Sequence, residues 1–295
     1  MSDETNRIRQ RPRTPKPFRA MLPHFETRQQ AHYRKRVLTR QLDGGDDAAV
    51  LVALRLDACS KHAPCGSPIC PVCVRRLRRS FIKGGMVCIA DICRTENVPH
   101  EHVVAFQAVL GEEQYAVGEL HKADLKKLNE RLQRRYQRAG LPVVLAGVDI
   151  SYNEDSTGWW PPYWQMQVYG VVVGMPRVEV KKRLAVNLPI SDRIPRPLRV
   201  RSCTELAAAL SYIIKPMFIR RVSYIDPTGR LNTRKVPIKS VQTRELAVWL
   251  DQYPLTARYL LTGCRRYGDR IEPNKRTCFV QKDEMTNINN SVMEQ

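Results

Sequence analysis

Four residues of types that commonly bind metals lie close together in this chain, at His62, Cys65, Cys70 and Cys73. Their spacing, His-x₂-Cys-x₄-Cys-x₂-Cys, allows all four to surround one tetrahedral zinc ion. Prolines and a glycine interrupt the segment, so its backbone is expected to turn rather than to form a helix or a strand. The sequence therefore predicts a small zinc-knuckle region whose fold depends on a bound ion.

Two features next to this cluster leave its ligand set and its role open. Cys59 lies just upstream and competes with His62 for the fourth ligand position. The last cysteine is followed directly by a basic segment that contains Arg75, Arg76, Arg78 and Arg79. We expect the metal to fix this segment as a surface that binds DNA phosphates. A set of buried, unligated thiols is the alternative interpretation.

The charge of the chain narrows the class of partner. A net charge of +20 over 295 residues indicates binding to a polyanion, either nucleic acid or an anionic membrane surface. No apolar run is long enough to span a bilayer and no secretory signal is evident, so nucleic acid is the favoured partner and the cytoplasm the expected compartment. The nine cysteines then indicate a metal site and free thiols rather than disulfides.

Composition and hydrophobic patterning divide the chain into segments. Its first forty positions hold eleven Lys/Arg and three Asp/Glu, a composition typical of a mobile arm. An apolar run at 48–57 predicts a buried strand before the cysteines. The expected segments are a basic flexible arm (1–45), the zinc-knuckle region (46–100), a nucleic-acid-binding domain (101–220), a helical extension (221–280) and a disordered tail (281–295).

Strand signals recur through the predicted nucleic-acid-binding domain. An apolar strand is predicted at 103–110. Two more, at 143–152 and 163–173, flank a turn-rich segment and therefore predict a long hairpin. The sequence His100-Glu101-His102 precedes the first of these strands and is interpreted as part of a loop.

Three helices have clear sequence signals. The first has a buried stripe of Leu and Tyr residues from position 125 to position 136, and its opposite face is either a solvated surface or a phosphate track. Another is predicted over 203–215, with a Ser-x-x-Glu capping box at Ser202 and a stop at Pro216. A third is predicted over 243–252. The arginines considered for the phosphate track are Arg131, Arg134 and Arg135.

This order of strand, basic helix, hairpin and helix resembles the HUH endonuclease superfamily, most closely the rolling-circle replication initiators of plasmids. The segments 143–151, 163–172 and 209–215 carry the resemblance, which covers roughly residues 103–220. It implies an α+β fold built as a two-layer sandwich with a central antiparallel sheet. It also implies binding to single-stranded or origin DNA and nicking of one strand.

The resemblance implies a divalent metal site on the hairpin. Asp149 matches the acidic strand residue of the family, and Gln165 and Gln167 stand where the family has a pair of histidines. If the hairpin is symmetric about Thr157, Asp149 and Gln165 face each other, and the oxygen ligands suit Mg²⁺ or Mn²⁺. Two amides bind metal more weakly than two imidazoles. Either phosphate oxygens and water complete a weak site, or the fold is a non-cleaving DNA binder.

The resemblance also implies a tyrosine nucleophile. Tyr212 and Lys215 match the tyrosine motif of the family and share one face of the predicted helix. Tyr212 is expected to attack the phosphate, and Lys215 to supply a nearby positive charge. At the predicted hairpin tip, large aromatic residues either form a local cluster or stack on unpaired bases. These aromatic residues are Trp159, Trp160, Tyr163 and Trp164.

The sequence thus predicts a DNA-binding, replication-initiator-like protein that nicks single-stranded DNA through a tyrosine. One alternative keeps the fold and loses the cleavage, which leaves a DNA-binding regulator or an accessory replication protein. The other alternative is a zinc-knuckle RNA-binding protein.

Overall fold

The structure, a computed structural model, describes residues 18–186 and 188–274 and has a mixed α+β architecture. Its first elements are α1 Phe18–Met21, α2 Arg28–Asp43, α3 Asp47–Asp57 and α4 Pro71–Thr95. The central elements are β1 Val103–Ala116, α5 Leu125–Arg138, β2 Val143–Asp155, β3 Tyr163–Val173, α6 Arg177–Ala185, β4 Leu198–Ser202 and α7 Leu206–Ile213. The last are β5 Ile219–Ile225, β6 Leu231–Pro237, α8 Ser240–Asp251, β7 Tyr259–Thr262, β8 Cys264–Tyr267 and β9 Arg270–Pro273.

A mixed sheet with the strand order β4-β1-β3-β2-β5-β6 lies at the centre of the protein. The predicted β2–β3 hairpin is confirmed and forms the middle of this sheet. β7 pairs with the first half of β2, and β5 pairs with its second half. The β2–β5 pair is parallel, so the sheet is mixed and the expected antiparallel sheet is wrong. The sequence His100–His102 forms a short 3₁₀ turn before β1.

Helices cover both faces of the sheet, so the expected two-layer sandwich is wrong. On one face, Val144 and Val148 of β2 join a core that includes α2, α3, α5, α6 and α8. On the other, Val143 and Leu145 join a core formed with α4 and α7. The reason is in the strands themselves, because β2 and β3 are apolar on both faces along much of their length, as in a doubly covered sheet.

The strand predicted at 48–57 is wrong, because this run forms the helix α3. Ala49, Val52 and Leu56 recur at the three- to four-residue spacing of a helix and are buried. Leu54 is apolar but exposed, and apolar residues on the outer face hide the amphipathic pattern in the sequence.

Part of the expected flexible arm, 1–45, is a helix packed into the core. α2 begins at a capping box formed by Thr27. It buries Leu38 and Leu42 against α3 and α8, while most of its cations are exposed and Lys35 is buried. A basic composition therefore coexists here with an apolar face that is wide enough to dock. Residues 1–17 lie outside the described residues.

The described part of the expected helical extension, residues 221–274, contains more strand than helix, so the expectation of a helical segment is wrong. β5 and β6 form a hairpin whose turn is closed by Asp226 and contains Gly229 at φ +79°. These strands carry many Arg, Lys and Thr side chains, so their alternation of hydrophobicity is weak. The helix predicted at 243–252 is confirmed as α8, and the tail 275–295 lies outside the described residues.

The helix predicted at 203–215 is shorter than expected. Ser202 is the last residue of β4, and no side chain caps α7, so the predicted capping box is wrong. Ile214 leaves the helical region at φ −114° and ψ 87°. Lys215 therefore lies beyond the helix, next to Pro216, which disfavours a helical residue before it.

α4 and α7 pack closely on one half of a sheet face. A Cβ atom added to Gly85 of α4 would lie 3.1 Å from side-chain atoms of Leu145 and Leu210. One added to Gly147 of β2 would collide with Ile213 O of α7. These glycines let both helices lie directly on the apolar half of this face, and the polar half lies beyond α7.

Candidate functional site

Four cysteines converge where α3 ends and α4 begins. The distance between sulfur atoms is 3.6 Å for Cys59 and Cys73, and 3.7 Å for Cys65 and Cys73 and for Cys59 and Cys70. His62 is exposed and lies outside this group, so its assignment as a ligand is wrong and Cys59 is the fourth member. The helical α3 explains this, because its end delivers Cys59 directly to the other three. We call these four residues the cysteine cluster.

The geometry of the cysteine cluster fits a tetrahedral thiolate site. Metal–sulfur bonds of about 2.3 Å give a tetrahedron with edges of about 3.8 Å, close to the observed separations. Cys65 N donates a hydrogen bond to Cys59 Sγ at 3.4 Å. Hydrogen bonds from Cys65 and Cys70 lower the pKa of the Cys73 thiol, which lies in the first turn of α4, where the helix dipole also favours a thiolate. The four residues can therefore hold one metal ion.

Two cations support the loop that carries the cysteine cluster. The buried Lys35 donates from Nζ to the carbonyl oxygens of Asp57 at 2.9 Å and Cys59 at 3.3 Å. Arg55 donates to Cys65 O at 2.9 Å. Positive charge at this position offsets the net negative charge that four thiolates leave around a divalent ion.

The basic segment after the cysteine cluster forms the first turns of α4, and its arginines have different roles. Arg78 is buried and donates to Ser211 O at 3.2 Å, so it is a structural residue rather than the DNA contact that was expected. Burial lowers the pKa of Arg78 to about 10. Arg76 and Arg79 are exposed, and Arg75 is half-buried.

Beyond the end of α7, the sheet face is polar, with buried side chains at its centre and the exposed Arg199 and Arg201 at one edge. Directly opposite residues of paired strands share a face, so the register determines which side chains lie there. The polar side chains of this region lie on the same face of the sheet as Val143 and Leu145, which α4 and α7 cover. We call this surface the polar sheet face, and its members are Gln107, Asp149, Ser151, Gln165, Gln167, Tyr169, Arg199, Arg201 and Arg221.

A buried carboxylate lies at the centre of the polar sheet face. Asp149 is 1% exposed, and Lys215 Nζ donates to its Oδ2 at 2.6 Å. Arg258 Nη2 lies 3.5 Å from Asp149 Oδ1 without hydrogen-bond geometry. Arg258 also donates to Lys215 O at 3.2 Å, which fixes the chain just beyond α7. One carboxylate therefore faces two cations, and a positive charge remains.

The register of the hairpin differs from the predicted one. Asp149 lies opposite Gln167, and Gln165 lies opposite Ser151, so the expected Asp149–Gln165 pair is wrong. The hairpin is symmetric about Gly158 rather than one residue earlier, and a shift of the apex by one residue moves the pairing by two. Both glutamines still lie on the polar sheet face.

Gln165 is held by the irregular part of β1. Its Nε2 donates to Leu110 O at 2.7 Å and Glu113 O at 3.3 Å, and its Oε1 accepts from Gln114 Nε2 at 2.9 Å. The pairing of β1 with β3 shifts register at this point, which exposes these carbonyl oxygens to a side-chain donor. Gln165 thus satisfies backbone groups at a bulge.

The side-chain oxygen of Gln167 accepts three hydrogen bonds. These come from Tyr169 Oη at 3.0 Å, from Gln107 Nε2 at 3.3 Å and from Arg221 Nη2 at 3.3 Å. The carboxylate of Asp149 is paired with two cations, because Oδ2 accepts from Lys215 and Oδ1, which accepts no hydrogen bond from the described residues, lies 3.5 Å from Arg258 Nη2. The oxygen atoms of Gln167 and Asp149 do not form the ready site for Mg²⁺ or Mn²⁺ that the family resemblance implies.

Tyr212 and Lys215 lie together at the edge of the polar sheet face. Tyr212 is 44% exposed, and its ring meets that of Tyr169 edge-to-face at 5.0 Å. Lys215 Nζ lies 4.6 Å from the ring centroid of Tyr212 and 3.8 Å from that of Tyr169. Burial, and then the charge of Asp149, raise the pKa of Tyr169. The structure therefore brings Tyr212, Lys215, Asp149 and Gln167 together.

The aromatic residues of the hairpin have separate roles. Trp164 is wholly buried and donates to Glu245 Oε2 at 2.9 Å, so it is a core residue rather than the base-stacking residue that was expected. Trp159 is 63% exposed, and its ring lies 5.8 Å from that of Trp160. The guanidinium of Arg193 lies 5.8 Å from the Trp160 ring, so a cation accompanies the exposed aromatics.

The basic face of α5 is partly neutralised by β1. Arg131 pairs with Glu113, and Arg135 pairs with Glu112 at 3.1 Å. Arg134 is exposed and has no side-chain partner within the described ranges. This pattern favours a solvated face over a phosphate track.

Sequence reasoning missed several arginines of the polar sheet face. Arg199 and Arg201 alternate along β4 and so point the same way, a signal that was present in the sequence. Arg221 reaches the face through a parallel pair that had not been predicted. Arg258 lies after α8, and no local pattern connects it to Asp149.

Comparison with protein-family models, with curated proteins and with solved structures finds no match. In the part of the chain that the structure describes, no helix combines the length and the apolar character needed to cross a membrane. The cysteine cluster and the polar sheet face are therefore the features of the chain that bear on its function.

Proposed function

We propose that this chain is a DNA-binding, replication-initiator-like protein that holds single-stranded DNA against the polar sheet face. The observation that carries this proposal is that Arg199, Arg201 and Arg221 lie on the sheet face of Asp149. On this face Lys215 binds Asp149 beside the exposed ring of Tyr212. Arginine and lysine bind phosphates, and an aromatic ring offers a surface on which a base can stack. The net charge of +20 supports a polyanionic partner.

The electrostatics of the face favour an anion. Asp149 is engaged by two cations, Lys215 and Arg258, and Arg221 adds another charge 3.3 Å from Gln167 Oε1. An incoming phosphate would meet this excess of positive charge in a partly buried setting, where screening by salt is weaker than on an open surface. The exposed Trp159 at the tip of the β2–β3 hairpin offers a further ring on which a base can stack.

Strand cleavage through Tyr212 is the second candidate function, and the accessible ring next to Lys215 favours it. Tyr212 Oη would attack the phosphorus, form a phosphotyrosine ester and release the deoxyribose oxygen of the leaving strand. Lys215 and Arg221 would offset the charge on the phosphate. The engaged oxygens of Asp149 and Gln167 favour the other outcome, which is a DNA-binding regulator or accessory replication protein that does not cleave.

One experiment separates these functions. The full chain is incubated with end-labelled single-stranded DNA of random sequence, with Mn²⁺ or with a chelator, and analysed for covalent adducts under denaturing conditions. An adduct that Tyr212→Phe abolishes establishes cleavage. If the anisotropy of the same DNA shows binding but no adduct forms, the protein is a DNA-binding regulator that does not cleave. If the metal is dispensable, the adduct persists in the chelator.

A matched set of variants tests the binding surface itself. Arg199→Ala combined with Arg201→Ala should weaken single-stranded DNA binding by about tenfold, because two phosphate contacts are lost. Lys181→Ala combined with Lys182→Ala removes the same charge from the exposed surface of α6 and should have little effect. Equal losses in both pairs would contradict a specific face, and tighter binding to structured RNA would support the RNA-binding alternative.

We further propose that the metal of the cysteine cluster is one zinc ion with a structural role. Four cysteine sulfurs at tetrahedral spacing are the usual ligand set of structural zinc, and no ligand position is left open for a substrate. None of the eight described cysteines forms a disulfide, which favours a reducing compartment such as the cytosol. Elemental analysis of the purified chain should find about one zinc per chain.

A further inference from the structure

A basic groove lies beside the cysteine cluster and shares no lining residue with the polar sheet face. Its walls are α2, the loop between α3 and α4, and α4 itself, and they enclose about 790 Å³. Seven Lys or Arg side chains line it, against the single acidic residue Asp269. We call it the α2–α4 groove. The excess of positive charge in the groove favours an anionic ligand.

The cations of α4 are spaced along one side of the groove. Arg76, Arg79 and Lys83 recur at helical spacing and are exposed. Seven residues of helix rise by about 10 Å, and a DNA strand presents one phosphate per about 3.4 Å of duplex axis. The three side chains therefore match about three phosphates of one strand. Arg28 and His32 of α2 line the opposite wall.

Two of the groove's arginines are fixed by the backbone. Arg75 Nε donates to Glu26 O at 2.7 Å, and Arg76 Nη2 donates to Lys61 O at 2.9 Å. Lys61 belongs to the loop that carries the cysteine cluster. Metal binding would therefore also position Arg76, and less side-chain entropy is lost when a phosphate binds to an arginine that is already ordered.

The groove offers little surface on which unpaired bases could stack. No Phe, Tyr or Trp is among the described residues that line it. Phe18 and Phe25 border the adjoining pocket, but their rings pack against each other at 5.0 Å and lie next to the guanidinium groups of Arg79 and Arg75. Single strands are held through base stacking as well as through phosphates, whereas a duplex exposes mainly its backbone. The polar sheet face, which has the exposed ring of Tyr212 at its edge, has the opposite character.

We propose that the α2–α4 groove is a second DNA site, which binds the phosphate backbone of double-stranded DNA independently of the polar sheet face. The two sites would hold a duplex and an adjoining single strand at the same time. Sequence preference is not expected of the groove, because its contacts are to phosphates.

The test uses the full, metal-loaded chain and two fluorescent ligands, a short blunt-ended DNA duplex and a single strand of the same length. Arg28→Glu combined with Lys83→Glu is the groove variant, because neither side chain forms a hydrogen bond or an ion pair with another described residue. Lys181→Glu combined with Lys182→Glu makes the same change of charge on α6 and is the control. Circular dichroism verifies that both variants are folded.

The groove variant should weaken duplex binding by at least about tenfold more than the control. The slope of log K against log salt should fall in magnitude by about 2, because each lost phosphate contact removes about 0.9. Single-strand affinity should change no more than in the control. Duplex binding that falls equally in both variants, or that does not fall at all, overturns the proposal, as does at least tenfold tighter binding of a duplex RNA.

The same measurements separate failure of this proposal from failure of the proposed function. Arg199→Ala combined with Arg201→Ala should weaken binding of the single strand and leave the duplex affinity unchanged. If this pair weakens duplex binding as strongly, the groove is not an independent site. If it leaves single-strand binding intact, the function proposed for the polar sheet face fails while the groove stands.

Discussion

The cysteine cluster and the polar sheet face are assembled in opposite ways. All four sulfurs of the cluster come from positions 59–73, so two helix ends and one loop suffice to build it. The polar sheet face takes its members from five strands and adds Lys215 after α7 and Arg258 after α8. The first depends on local chain geometry, and the second depends on correct pairing of the whole sheet.

The cysteine cluster and the polar sheet face also differ in charge. The cysteine cluster gathers thiols, and the metal ion that we propose for it would be part of the fold. The polar sheet face gathers cations around one carboxylate, and the ligand that we propose for it is an anion that binds reversibly. Damage to the cluster should thus appear as lost stability, and damage to the exposed part of the face should appear as lost binding.

The largest effect is expected from removing one sulfur of the cysteine cluster. Cys59→Ser should abolish stoichiometric zinc and lower the free energy of unfolding by at least about 4 kcal/mol, since loss of a metal is among the few changes that cost so much. Elemental analysis and thermal unfolding measure both quantities.

His62→Ala is the matched control for that variant, because His62 lies in the same segment but outside the cluster. It should retain zinc and differ little in stability from the unaltered chain. Zinc lost from His62→Ala but retained in Cys59→Ser would reverse the assignment of the fourth ligand.

The next largest effect should come from the centre of the polar sheet face. Asp149→Ala leaves Lys215 and Arg258 without their carboxylate in a buried setting, which should destabilise the fold by about 3–5 kcal/mol. Urea unfolding measures the loss. The control is Glu154→Ala, which breaks the more exposed ion pair with Arg220 and should cost about 0–1 kcal/mol. Equal costs would show that water reaches Asp149 and that its charge pairs are screened.

A smaller effect, on binding rather than on stability, is expected at the hairpin tip. Trp159→Ala should weaken single-stranded DNA binding by about 1–3 kcal/mol, the range found when one stacking residue is removed. Its exposed side chain contributes little to the fold, so the unfolding midpoint should stay the same. Unchanged DNA affinity would remove the tip from the binding surface and leave the arginines to act alone.

Elements with long and consistent signals were predictable from the sequence. The helix α5 has a buried Leu and Tyr stripe, the N-cap Asp124 and a left-handed Gly140 at φ +60° just after its end. The hairpin β2–β3 has two long apolar strands around a turn-rich segment. In both cases local preference and burial agree, so tertiary contacts had nothing to override.

The parts that could not be predicted depend on tertiary context. The apolar run of α3 suits a buried strand as well as a helix, and only its packing against α2 and α8 decides between them. The partner of Asp149 depends on a turn apex that differs by one residue, and its second cation, Arg258, arrives through the pairing of β7 with β2. Pairings between distant segments leave no local trace in the sequence.

The smallest expected effect concerns the turn that carries Trp159 and Trp160. The carboxylate of Asp155 accepts hydrogen bonds from the Thr157 hydroxyl at 2.7 Å, from Trp159 N at 2.7 Å and from the Ser223 hydroxyl at 2.8 Å. Partial desolvation raises the pKa of Asp155, but these hydrogen bonds outweigh it and lower the pKa to about 2. The turn is therefore held in place by an ionised carboxylate.

Because the pKa of Asp155 in the folded chain lies below its ordinary value of 3.8, its stabilisation is complete above that pH and is lost as the pH falls toward 2. The indole NMR signals of Trp159 and Trp160 should shift over this window, and Asp155→Asn should remove the shift. Asp226→Asn, in the turn between β5 and β6, is the control and should leave it unchanged, although the pKa of Asp226 is also lowered. A shift that survives Asp155→Asn would mean that acid loosens the sheet itself. The change at the hairpin tip would then come from the sheet and not from protonation of Asp155.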